Sequence, residues 1–103
     1  MSVTKLISLL NLAEKELGNH SVREVKVLAY LFQSKHNLVC YQSIIKNLNI
    51  SAVSVTRSLK HLSDLDMVTL LINTDDTRSK SVALTDKGNE FKLKVIEIIE
   101  GKI

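Results

Sequence analysis

Ser51-Ala-Val-Ser-Val-Thr-Arg-Ser-Leu-Lys-His-Leu-Ser-Asp-Leu-Asp-Met-Val68 is the stretch on which the fold turns. Val55, Leu59 and Leu62 recur at i, i+4 and i+7, the period of one helical face. Ser51 stands just before that pattern, where a hydroxyl can accept from the first free backbone N–H groups. A helix from Ser51 to about Asp64 follows, with Val55, Leu59 and Leu62 inward. Its other face then carries Ala52, Ser54, Thr56, Arg57, Lys60 and His61, all small, hydroxylated or basic.

Outward from this helix, Tyr41 to Leu48 reads as a shorter one, with Ile44, Ile45 and Leu48 inward and Asn49-Ile50 as a tight turn. Two short helices joined in this way make a helix-turn-helix, whose second helix ordinarily enters the DNA major groove. On the C-terminal side, Met67–Ile72 and Ser81–Leu84 are β-branched or aliphatic runs around the polar segment Asn73 to Ser79, the pattern of a β-hairpin. A hairpin in this place is a wing. The predicted fold is mainly α with a small β-hairpin wing (α+β), a winged helix-turn-helix.

The flanks are helical. Val3, Leu6, Leu10, Ala13 and Leu17 form one stripe of a helix from about Thr4 to Leu17, which Gly18-Asn19 ends. Ser21 and Glu24 have capping-box spacing for a second helix, with Val22, Val25, Leu28, Ala29 and Phe32 inward and an end near Lys35-His36-Asn37. Leu38-Val39 is a short strand. Thr85 caps a last helix from Asp86 to about Glu100, with one stripe at Phe91, Val95 and Ile98 and another at Ile96, Ile99 and Ile103.

Composition agrees. The chain has 103 residues, 45% hydrophobic and 24% charged, with no Pro and only Gly18, Gly88 and Gly101. A chain this long buries roughly 60–70% of its unfolded surface, enough for one core. The organisation expected is a single domain over 1–103, with terminal helices at 1–18 and 86–103 around a DNA-binding unit at 21–85. A β-sandwich would carry more turn formers. No apolar run is long enough to cross a membrane, and the N-terminus lacks the continuous apolar core of a signal peptide.

Net charge is only +3, but its distribution is uneven. From Val25 to Ser63 there is no acid, in a chain holding 11, while Lys26, Lys35, Lys46, Arg57 and Lys60 are all basic. Such a surface suits an anion.

The Ser51–Val68 stretch resembles the recognition helix and first wing strand of MarR-family transcriptional regulators. Asp76-Thr-Arg-Ser-Lys-Ser-Val-Ala-Leu-Thr-Asp-Lys-Gly88 resembles that family's wing signature, Asp-x-Arg followed by an apolar strand and Leu-Thr-x-x-Gly. The likeness covers roughly Ser21 to Phe91. It implies that Arg78 enters a flanking minor groove, oriented by Asp76, with Lys80 on a phosphate. An Arg on a hairpin tip is suited to the negative potential of a narrow A·T-rich minor groove. The resemblance also places Ser54, Thr56 and Arg57 toward the major groove. Arg57 serves either a guanine, through a bidentate contact, or the fold, by pairing with Asp64. Lys46 and Lys60 suit phosphates, and Ser43 can offer its hydroxyl to one. Ser51 and Ala52 complete the helix N-terminus near the DNA.

The chain departs from the family pattern at three places. Asp66 occupies a turn where the family usually has Gly, Leu70 and Leu71 replace basic residues, and both terminal helices are short. The family builds its dimers from terminal helices, so Leu6, Leu9, Leu12, Ile96, Ile99 and Ile103 are the interface residues expected for a homodimer. Two-fold symmetry would match a pseudo-palindromic site. Short termini leave little room for the family's usual ligand cleft, which counts against a small-molecule effector.

The function implied is a double-stranded DNA-binding, cytoplasmic transcriptional regulator, a homodimeric repressor with helix 51–64 in the major groove and wing 73–80 at the minor groove. The competing reading is a protein-interaction module, an antagonist of a regulator or polymerase, favoured by Leu70 and Leu71. No enzyme, cofactor or metal is expected. His20, His36, His61 and Cys40 lack ligand spacing, and there is no phosphate loop or nucleophile elbow. Cys40, the one cysteine, excludes an intrachain disulfide and reads as a packing residue.

Overall fold

Amphipathic helices and a β-branched hairpin must bury their apolar faces on one another. The computed structural model shows how they do so over residues 2–18, 22–72 and 80–101. Five helices, α1 (Val3–Leu17), α2 (Val22–Gln33), α3 (Tyr41–Leu48), α4 (Ala52–Asp64) and α5 (Asp86–Ile99), accompany three strands, β1 (Val39–Cys40), β2 (Val68–Ile72) and β3 (Lys80–Leu84). The sheet is antiparallel in the order β1-β3-β2, with Val39 opposite Val82, and β2 paired from Val68–Leu84 to Ile72–Lys80. The expected winged helix is present.

The core is centred on α4. Val55, Leu59 and Leu62 are fully buried, as their spacing predicts, against Val27, Ile44, Met67 and Val82. Phe32 and Phe91 lie 5.7 Å apart between ring centres and tie α2 to α5. α1 runs alongside α5, with Lys5 Nζ donating to Ile99 O at 2.9 Å near one end and Lys94 Nζ meeting Glu16 Oε1 at 3.1 Å near the other.

Several expectations need correction. On α1 the inward side is Leu9, Leu12, Ala13, Glu16 and Leu17, whereas Val3, Leu6 and Leu10 are exposed. Two apolar stripes compete on this helix, and the hydrogen bond of Lys5 and the ion pair of Glu16 with α5 lie on the side of Leu9 and Leu12. On α2 the deepest residues are Val27, Leu28 and Leu31; Val25 and Phe32 are half-buried, and Val22 and Ala29 face out. That helix ends at Gln33, before Lys35, because the Ser34 hydroxyl accepts from His36 N at 3.2 Å and draws the backbone into a turn. β1 begins one residue later than expected and leaves Leu38 exposed. β2 starts at Val68, and Lys80 is the first residue of β3, not part of the tip. Leu70 packs on the core, so the patch expected from Leu70 and Leu71 shrinks to Leu71.

Asp66 does adopt the left-handed conformation required of it, with φ 63°. Gly18 ends α1 at φ 65°, ψ −130°, outside the left-handed helical well, and donates to Glu14 O at 2.9 Å.

Candidate nucleic-acid interface

A helix-turn-helix works if its second helix is held from behind while one face stays free. Here the turn is built by Asn49, left-handed at φ 53°, and by Ser51, whose hydroxyl accepts from Ser54 N at 3.2 Å. The four inward residues Val55, Ser58, Leu59 and Leu62 anchor α4 to the core. At about 100° per residue, the direction opposite them is that of Val53, Arg57 and Lys60, again spaced i, i+4 and i+7. All three are exposed, as are Ala52 and Thr56 beside them. The same five residues border one shallow open depression.

Two expected members of this face are partly withdrawn from it. The half-buried Ser54 hydroxyl accepts from Arg23 Nη1 at 3.3 Å and from Ser51 Oγ at 2.9 Å. His61 Nδ1 lies 2.7 Å from Glu24 Oε1, so His61 braces α4 against α2. Glu24 thus has a tertiary partner; its expected box partner, Ser21, lies outside the described residues. Arg57 makes no ion pair with Asp64 or any other acid among the described residues, so the fold-bracing alternative for it falls away. Its guanidinium is free for an outside anion.

Sequence reasoning missed Val53 and Arg23. Val53 has neither charge nor hydroxyl, so its type alone does not separate it from a core residue, although it stands seven residues before Lys60. Arg23 lies on another helix, and no local pattern announces its contact with Ser54.

Around α4, Lys46 is exposed on the last turn of α3, while Ser43 is half-buried in the first. Lys80 is half-buried opposite Ile72. Asp76 and Arg78 lie outside the described residues. The root of the wing is locked: Thr85 Oγ1 donates to Asp66 O, Lys87 Nζ donates to Leu65 O at 3.0 Å, and Thr85 N donates to Met67 O at 3.1 Å.

The terminal helices present a different chemistry. Val3, Leu6, Ile7 and Leu10 on α1 and Leu93 and Ile99 on α5 are exposed. Leu9 and Leu12 are half-buried within the chain, as is Ile96; Ile103 lies outside the described residues. Between α1, α2 and α5 is an apolar groove of about 240 Å³ bordered by Leu9, Leu28, Phe32, Phe91 and Val95. Among the described residues no group of three His, Cys, Asp or Glu is placed to hold a metal ion, and no helix is long and apolar enough to cross a membrane.

No protein-family model matches the chain, and no curated protein does. Solved structures do. The S. aureus MepR–DNA complex superposes with TM-score 0.76 at 17% identity, covering 96% of this chain and 79% of that one. A mutant MarR from E. coli, complexed with operator DNA, gives TM-score 0.65 at 20% identity over 93% and 69%. Reduced AbfR bound to DNA gives 0.68 at 26% identity over 98% and 69%. The winged-helix fold that the resemblance implied is therefore shared with these structures over the described residues.

Proposed function

We propose, on the premise of a MarR-like winged helix, that the chain is a cytoplasmic transcriptional regulator that binds double-stranded DNA in a sequence-specific way. In this reading it is a homodimeric repressor of a pseudo-palindromic operator. α4 enters the major groove, and the wing, residues 73–80 including Asp76, Arg78 and Lys80, follows the flanking minor groove. The carrying observation is the outward stripe of α4: Arg57 and Lys60 stand exposed directly opposite the buried face, and no acid precedes Asp64 on that helix. Structures of MepR, MarR and AbfR that hold DNA support the same use of the fold. Lys46, Ser43, Ser51, Ala52, Ser54 and Thr56 take phosphates or base edges around this stripe.

The dimer reading is supported by the exposed apolar residues of α1 and α5, among them Leu6 and Leu10, each of which leaves about half of its surface open in a lone chain. A two-fold axis there would set the recognition helices about 34–36 Å apart, one turn of DNA. Light scattering should give twice the 11.5 kDa chain mass; a monomer at micromolar concentration overturns the dimer.

Gel shift on random duplex DNA across a salt series tests the function itself. Affinity should fall steeply as salt rises, since lysine and arginine contacts displace counterions. A folded chain that binds no duplex at low salt overturns the DNA reading.

A further inference from the structure

Val53 is 67% exposed in the first turn of α4 and is not among the residues of the core cluster. An isolated surface valine means little. This one lies at the N-terminal end of the outward face, with Arg57 one turn on and Lys60 two turns on. Beside it, Ala52 and Thr56 border the same depression, so an apolar spot adjoins the cationic groups. β-Branched residues are weaker helix formers than the straight-chain polar residues common on solvated faces, so packing and propensity alike leave Val53 without a role in the fold.

The major groove offers one apolar feature, the C5-methyl of thymine. N-terminal residues of a recognition helix are the ones that reach base edges. We propose that Val53 is a specificity-determining residue that packs on a thymine methyl, one helical turn before Arg57 meets guanine. This rests on the DNA-binding reading above. Four residues advance the helix by about 6 Å, close to two base-pair steps of about 3.4 Å. The thymine is therefore placed within about two or three base pairs of the guanine that Arg57 reads. Charge complementarity selects the occupant: Arg57 and Lys60, which follow on the same face, draw in a polyanion, and the carbon surface ahead of them then meets the base edge.

The test uses duplexes selected from a random library by the whole chain, remade with deoxyuridine in place of one thymine at a time. Deoxyuridine keeps the pairing and loses only the methyl. At the contacted position, affinity should fall about fourfold, the worth of one methyl-sized burial. Val53→Ala, a change at a mostly exposed position outside the core cluster, should keep its thermal midpoint and bind thymine and deoxyuridine duplexes equally at that position. Equal binding of both by the unaltered chain at every position overturns the proposal, as does a Val53→Ala chain that still discriminates. Failure to bind any duplex instead overturns the DNA reading on which it rests, so the two failures are distinct.

Discussion

Replacing Gly88 with Ala tests whether the wing root is as tightly built as it looks. Gly88 is the third residue of α5, and a Cβ there would collide with the Met67 carbonyl oxygen and come within 3.2 Å of Leu84 Cδ2. The carbonyl belongs to the backbone and already accepts from Thr85 N at 3.1 Å, so it has no free direction to retreat. Gly88 N in turn donates to Thr85 Oγ1 at 3.1 Å, closing the N-cap. Relief of the clash must therefore loosen that backbone bond, worth about 1 kcal/mol, and the cap, worth about 1 kcal/mol. Residual overpacking adds about 1–3 kcal/mol, and the better helix propensity of Ala returns about 1 kcal/mol. The net loss is about 2–4 kcal/mol, a large part of the ~5–15 kcal/mol typical of a whole domain. Urea unfolding followed by circular dichroism should show a lower midpoint with an unchanged slope. Asn89→Ala, at the next and exposed position, should stay within about 0.5 kcal/mol of the parent. A Gly88→Ala chain as stable as the parent would refute the clash and the locked wing root together.

Three further outcomes are expected. Arg57→Ala should relax base preference at one operator position, whereas Lys60→Ala should weaken binding to all duplexes and reduce the salt slope by about 1; identical effects would count against separate base and phosphate roles. Leu10→Glu, on the exposed side of α1, should leave a monomer by light scattering where the parent forms the proposed dimer, without loss of helix, and a persisting dimer would move the interface elsewhere. Burial raises the Tyr41 phenol above its ordinary 10.0, so the unfolded chain ionises this group first. Its neutral form carries no penalty below that pH, and stability drains as pH rises through the folded value. Tyr41→Phe should remove this part of the alkaline loss, and equal pH slopes in urea unfolding would exclude it.

Much of the fold was legible because it depends on short-range chemistry. Thr85 and Ser51 cap helices through their own hydroxyls, and Val55, Leu59 and Leu62 repeat at the helical period whatever surrounds them. The turn at Asp66 was legible only through the resemblance, which places Gly there, and Asp tolerates the left-handed conformation that it adopts. The candidate site was legible in its charged members, Arg57 and Lys60, and illegible in Val53, since an apolar residue has the same signature whether it meets a core or a base.

What the sequence alone determined is the order of elements, the caps at Ser51 and Thr85, the buried face of α4 and the acid-free stretch. Tertiary structure decided the choices between near-equal local alternatives. Leu9 turns inward and Leu10 outward on α1 because Phe32, Phe91 and Val95 provide a groove for one stripe, while Lys5 and Glu16 bind α5 on that same side. Glu24 reaches His61, and Arg23 reaches Ser54, because the packing of α2 on α4 brings together residues more than thirty positions apart. Periodicity can count the apolar stripes of a helix; only the neighbour that packs on it selects the one that is buried.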